Sequence, residues 1–418
     1  MHISHIAAYE IIASGGYPTI EVKLELSDGS TGVASVPYGA SAGSHEATVL
    51  IDGDKKRYNG NGMLTAIEHI NEILTPVLTK HTFTNQANLD KTMIGIDGTA
   101  NKKNLGGNTI LAVSLAYAKA MASSRKQPLY AYILEEFELP NVRSLPKPMM
   151  VTIEGGKHAD NSTDLQEFCL SAMGTKSAKE QVRATLEAYH QVKKILQKAG
   201  LSTNVGNEGA FAPSGMTSNE QPLAILTEAI AQAGYEPGKD IGISIDAAAS
   251  EFYTENSYHL KLEKTGYDSK QMVEYYKPWL EKYPIVSFED MLDEDDWDNW
   301  PSMQKLCAEF NVPLIGDDLT VTNTKRLKKA IDLSAISGIL IKLNQIGSLS
   351  ETIECCKLAQ QHKLWIVPSH RGGGETNDTS MVDVAVAVGA QYIKVGPTRG
   401  ERVSKYNRLL QIEQEAHA

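Results

Sequence analysis

Six short apolar runs in the second half of the chain each close on a single ionisable residue: ISID at Asp246, PIVSFE at Glu289, PLIGD at Asp317, ILIK at Lys342, WIVPSH at His370 and YIK at Lys394. Successive closing residues lie 43, 28, 25, 28 and 24 positions apart. Each interval has room for one helix and two turns, which is the rhythm of a (β/α) barrel. Barrel strands deliver their C-terminal ends to one mouth, and chemistry gathers at that face. Three carboxylates followed by two lysines and a histidine therefore predict a metal site with a base beside it.

A full barrel takes about 250 residues, so a chain of 418 has length left for a second domain. The start supplies one. ISHIAAYEIIAS and PTIEVKLELSDGSTGVASV alternate as strands do, with SDGS as the hairpin turn. Apolar residues then recur at helical spacing over 62–78 and 108–123, with NKKNLGGN feeding the second helix. We expect an α+β capping domain over residues 1–137. The proline-rich LPNVRSLPKPMM is the linker, and the barrel occupies 138–418, giving an α/β protein overall. The barrel opens with MMVTI, LQEFCLSAM and a long amphipathic helix over 179–199, before regular alternation sets in at Ile241. This predicts a non-standard opening whose strand directions periodicity leaves open.

A net charge of −11 with no clustered basic stripe argues against a nucleic-acid surface, and points to small-molecule partners. No apolar run approaches the roughly 18 residues of a membrane span, and residues 1–10 lack the features of a secretory signal, so the expected location is cytoplasmic. Cys169, Cys307, Cys355 and Cys356 have no metal-binding or redox spacing and read as buried thiols. A bound metal would thus be hard and oxygen-ligated.

Asp246, Glu289 and Asp317 end three successive predicted strands, and an oxygen-only set of this kind suits Mg²⁺. Lys342 and Lys394 end later strands as a candidate base and a carboxylate clamp. A lysine works as a base only after losing its proton, and neighbouring cations lower its pKa. Glu167 in LQEF and Glu208 in NVGNEGAFAP, read as lying in or beside tight glycine-containing turns, are candidate acids. His370 ends a strand and precedes Arg371 and three glycines, an arrangement able to cradle a phosphate or carboxylate. His158 in GGKHAD is a further candidate. The small-residue stretch VPYGASAGSHEA is a candidate lid over the mouth.

Taken together these segments resemble the enolase family over essentially the whole chain. The matching stretches include PTIEV, GASAGSHEA, IDGTANKKNLGGN, GGKHADN with LQEF, TNVGNEGAFAP, SIDAAASEFY, YPIVSFED, EDDWDNW, GDDLTVTN, IKLNQIGSLSETI, SHRGGGET and IKVGPTRGERVSKYNRLL. The resemblance implies a Mg²⁺-dependent hydro-lyase of glycolysis that reversibly dehydrates 2-phospho-D-glycerate to phosphoenolpyruvate. It also implies a homodimer or higher homo-oligomer. Asp246, Glu289 and Asp317 would hold the first Mg²⁺, with Ser41 on the lid helping to hold a second that arrives with substrate. Lys342 would take the carbon-2 proton, and Glu208 assisted by Glu167 would protonate the leaving hydroxyl. Lys394 would bind the carboxylate and Arg371 the phosphate, with His158, Gln166 and His370 lining the pocket. A Lys or His base with one or two Mg²⁺ is the scheme for which the enolase superfamily is itself the known example, so it is carried here by resemblance.

The departures lie elsewhere. The family's DSRGNP is ASGGYP here, SGAST is YGASA, VGDEGG is VGNEGA, and SHRSGE is SHRGGGE, with Gly372 in place of a serine and one residue more. Two rival expectations follow: an enolase paralogue acting on a related phosphonate or 3-hydroxy acid, and a non-catalytic enolase-derived binding protein.

Overall fold

The computed structural model describes residues 2–39, 45–140, 144–174 and 177–417. The first three strands, β1 (Ile3–Ile12), β2 (Pro18–Leu26) and β3 (Thr31–Ser35), form an antiparallel sheet in that order. Along β2 the period-two pattern buries Ile20, Val22, Leu24 and Leu26 on one face, against the helix Gly107–Ser124. Backbone meets backbone here: a Cβ at Gly32 of β3 would lie 2.1 Å from the Ala116 carbonyl oxygen, so only glycine fits. The helical pattern read over 62–78 forms as Leu64–Glu68, a wider π turn His69–Leu74 and Thr75–Leu78.

The second sheet contains β4 (Lys147–Glu154), β5 (Glu167–Ala172) and β6 (Ile241–Asp246). A small outlying sheet follows, made of β7 (Tyr253–Thr254), β8 (Ser257–Leu260) and β9 (Thr265–Tyr267). The main sheet resumes with β10 (Ile285–Glu289), β11 (Leu314–Gly316), β12 (Gly338–Ile341), β13 (Trp365–Pro368) and β14 (Tyr392–Val395). Its order is β13-β12-β11-β10-β6-β5-β4-β14. A parallel bridge between Ser369 and Lys394, with His370 N–H donating to the Lys394 carbonyl at 3.1 Å, closes the ring.

All neighbours in this barrel run parallel except β5, which is antiparallel to both β4 and β6. The connection 155–166 has no room for a crossover helix, and a strand that returns without one must run the other way. The consequence is chemical. Glu167, the first residue of β5, pairs with Asp246, the last of β6, so a strand start faces the mouth. Glu167 therefore lies on a strand rather than in a glycine turn as its sequence context suggests, and strand direction is what aims it.

Alternation splits the barrel residues between two cores. Met149, Val151, Cys169, Val286, Ile315, Leu340 and Val367 fill the interior, while Phe168, Ile243, Ile245, Phe288, Ile339 and Ile341 face the helices. Truncating Leu340 to alanine would cost about 2–5 kcal/mol, the usual range for a filled interior position. All four cysteines are buried and free. Among the described residues no helix is long and apolar enough to cross a membrane.

Candidate active site

One layer above the interior plug, the strand ends place charge in a buried cage. Lys394 on β14 points its Nζ to Asp246 at 2.8 Å, Glu289 at 2.7 Å and Glu167 at 2.9 Å. These carboxylates come from adjacent strands β5, β6 and β10 and are 5% exposed or less. Asp317, just past β11, faces the other way. It takes the Lys342 Nζ at 2.5 Å and the Gln345 amide at 2.8 Å, and Gln345 is itself fixed by the Thr322 hydroxyl at 2.9 Å. Behind it Asp290, with a left-handed backbone (φ 44°), accepts the N–H groups of Asp317 and Asp318 at 2.9 and 2.7 Å. Ligand atoms of Asp290, Asp317 and Asp318 lie within 4.8 Å of one another.

A second group gathers on loops. His370 Nε2 lies 2.9 Å from Glu208, and His158 Nδ1 lies 3.1 Å from Glu167 and 3.5 Å from Glu208. The turn 206–210 carries Glu208. Its amide and that of Ala210 donate to the fully buried Glu154 at the end of β4. Thr398 and Tyr189 hydroxyls hold the Gly209 carbonyl at 2.7 and 3.4 Å, and Arg399 holds that of Asn207 at 2.9 Å. At the rim, Arg371 forms a two-pronged buried pair with Glu46, both contacts 2.8 Å.

The electrostatics follow from packing. Burial pushes the Glu289 carboxyl well above the ordinary range and Asp246 adds to the push, so the cage holds more negative charge than one ammonium offsets. Burial likewise raises Asp246, with Lys394 opposing. Lys394 itself is driven up, because its three carboxylates outweigh the cost of burial. Burial, Arg371 and Lys394 push the Lys342 amine down, but Asp317 outweighs them and it ends above its usual value. That direction is opposite to the one expected from neighbouring cations, and the Asp317 contact is the reason. Burial opposes ionisation of Glu208, yet His370 and His158 hold it well below the ordinary carboxylate range. His158 rises to about 9, since Glu208 and Glu167 overcome its burial.

The donor set suits a hard dication. Carboxylate oxygens of Asp246 and Glu289 already surround a positive charge, Asp317 stands on the next strand, and the excess negative charge would be relieved by a cation of higher valence. Cys169, the buried thiol that feels these charges, is pushed far up by desolvation, with Lys394 the main opposing influence.

Most of the expected side chains share one cleft, but the three expected metal ligands are divided: Asp246 and Glu289 turn to Lys394 and Asp317 to Lys342, and it is with Asp290 and Asp318 that Asp317 clusters. Lys342, Lys394, Glu167, Glu208, His158, Gln166, His370 and Asp317 line one cleft, with Asp246 and Glu289 joined to it through Lys394. Arg371 sits at the edge on Glu46, and Ser41, with Ala42 of the lid, lies outside the described residues. Glu154, Asp290, Asp318, Gln345, Thr322 and Glu46 escaped the sequence reading. The doubled acid of GDD and the acid of HEA were visible signals for Asp318 and Glu46; Glu154 closes the apolar run MMVTIE as the other strand-end residues close theirs.

The segments that depart from the resembled pattern meet in space. Gly372 leaves room for no side chain, since a Cβ would stand 2.8 Å from both the Glu208 carboxylate and His158 Nε2. A Cβ at Gly15 would meet the Gly373 carbonyl oxygen at 2.0 Å, Tyr38 N–H donates to the Gly374 carbonyl at 2.7 Å, and the Tyr17 and Tyr38 rings stack at 4.9 Å. They form one remodelled seam between the first sheet and the barrel mouth.

Comparison with known families matches residues 3–133 to "Enolase, N-terminal domain" and residues 142–418 to "Enolase, C-terminal TIM barrel domain".

Proposed function

Because the chain belongs to the enolase family, matched in both domains, we propose that it catalyses the reversible dehydration of 2-phospho-D-glycerate to phosphoenolpyruvate. The observation that carries this reading is the placement of Lys342 and Glu167. Their strands, β12 and β5, stand four places apart in a ring of eight, so a base and an acid group face each other across one cleft. Removal of a carbon-2 proton on one face and of a hydroxyl on the other needs that arrangement.

Asp246, Glu289 and Asp317 would hold Mg²⁺, with Ser41 assigned to a second ion. When bound, the metal supplies positive charge that offsets the charge building on the substrate carboxylate as the proton leaves. Lys342 accepts the carbon-2 proton as the neutral amine, after giving up the proton it carries here. Asp317, which holds Lys342 protonated here, belongs also to the metal set, so one carboxylate serves both. Glu208, which His370 and His158 hold ionised here, protonates the departing hydroxyl after taking up a proton, with Glu167 and the two imidazoles around it. Lys394 orients the carboxylate, Gln166 lines the cleft, and Arg371 takes the phosphate.

The proposal also includes a domain boundary at 137/138, a cytoplasmic glycolytic role and a homodimer or higher homo-oligomer. Exposed Tyr9, Ile12 and Val33 on the first sheet support the last. A second reading, a related phosphonate or another 3-hydroxy acid as substrate, is favoured by the Gly372 seam, which alters the anion end and leaves the lysines in place. The retained Lys342, Glu208, Glu167 and Lys394 argue against a non-catalytic role. Turnover of 2-phosphoglycerate to phosphoenolpyruvate with added Mg²⁺, abolished by chelation, is the expected result. Undetectable turnover in a folded, metal-loaded sample would rule the first reading out.

A further inference from the structure

One buried acid in this neighbourhood has no part in the chemistry described above. Glu154 ends β4 with no exposed surface and does not line the cleft. Its Oε1 accepts the Ala210 N–H at 2.8 Å and the Glu208 N–H at 3.1 Å, and its Oε2 lies 3.2 Å from the same Glu208 nitrogen. The turn fits tightly over it: a Cβ at Gly206 would stand 2.4 Å from Oε2. An acid buried without a cation in contact is costly, and an amide would make the same two backbone contacts.

We propose that Glu154 is a positioning residue for Glu208: by accepting both turn amides it grips the turn that aims the acid into the cleft. The inference rests on the enolase-type reading of Glu208. Burial and then the Glu208 charge lift Glu154 to about 8, with His158 opposing and Glu167 adding to the rise. The other groups facing this pair are Tyr189, which feels Glu154 through space, and His370 and Arg402, which act on Glu208.

Two conservative substitutions separate grip from charge. Glu154→Gln keeps Oε1 and both amide contacts but has no charge, whereas Glu154→Asp keeps the charge but withdraws the oxygens by one methylene. We expect Glu154→Gln to hold both kcat and KM near wild type. Glu154→Asp should lose about 10–100-fold in kcat with KM little changed. Amide hydrogen exchange over 206–210, read by mass spectrometry on the whole protein, should quicken in Glu154→Asp and stay slow in Glu154→Gln. Unchanged exchange in Glu154→Asp, or exchange in Glu154→Gln as fast as in Glu154→Asp, would overturn the proposal. If wild type turns over nothing, the proposed reaction falls instead, and the exchange measurement still decides whether Glu154 holds the turn.

Discussion

The cage around Lys394 and the turn around Glu208 are built on different principles. Every carboxylate in the cage sits at the end or start of a barrel strand, and pairing places it: Glu167 opposite Asp246, Asp246 opposite Glu289. The turn has no such frame. Its acid is aimed by hydrogen bonds from scattered positions, Glu154 on the amides and Thr398, Tyr189 and Arg399 on the carbonyls. Strand-borne groups share one geometry fixed by the sheet, so removing one removes a charge. Loop-borne groups depend on neighbours, so a small steric change can disable them while every functional side chain remains.

The largest expected effect tests the strand-borne side. Lys342→Ala should lower kcat by about 10²–10⁴-fold, the usual contribution of a general acid or base, in steady-state assays of folded, Mg²⁺-loaded protein. A rate unchanged from wild type would remove Lys342 from the chemistry.

Next comes a control outside both regions, a buried acid with no cation beside it. Asp90, in the helix Gln86–Asp97, accepts the Ser350 N–H and hydroxyl at 2.9 and 2.6 Å across the contact between the first domain and the barrel. Burial lifts it from 3.8 to about 6, against those hydrogen bonds. A carboxyl raised on folding stabilises the protein fully below its unfolded pKa, and that contribution is lost as pH rises through the folded value. Its size is about 3 kcal/mol. Denaturant unfolding at pH 4 and pH 7 should show this pH-dependent difference shrink in Asp90→Asn; an equal difference in both proteins would clear Asp90.

Replacing one cage carboxylate, as in Glu289→Gln, should weaken Mg²⁺ binding by about 10–100-fold in calorimetric titration. Gly372→Ser probes the loop-borne side without touching a charge. The added Cβ meets Glu208 and His158 at 2.8 Å, and we expect about a 10-fold fall in kcat/KM, of the order that overpacking of 1–3 kcal/mol gives. A gain in activity would mean the seam has room that the packing denies. The smallest effect belongs to His45→Ala. The His45 contact with Asp295 at 3.2 Å is largely solvated, and its loss should change stability by less than about 1 kcal/mol in thermal unfolding.

The same division explains what could be read from the chain alone. Asp246, Glu289, Lys342 and Lys394 each close an apolar run, and a barrel brings strand ends together whatever its loops do. The spacing thus conveyed both the barrel and its charged mouth. The direction of β5 was not legible, because LQEFCLSAM has the same alternation whichever way it runs. Glu154 was hidden for a related reason: MMVTIE reads as a core strand that happens to end in an acid, and its partners lie some fifty residues further on. The side on which Asp317 settles, with Lys342 rather than Lys394, depends on side-chain rotamers that no spacing encodes.

The reversed strand gives the connection 155–166 unusual leverage. In an ordinary barrel the segment before a strand opens onto the far rim and only the one after it meets substrate. Here the link leaves β4 at the mouth and enters β5 at the mouth, so His158, Gln166 and Glu167 arrive as one cassette pinned at both ends. Deleting a single position within it would displace an imidazole, an amide and a carboxylate together, and exchanging it whole would transplant three of the thirteen residues that line the cleft without disturbing the helical shell.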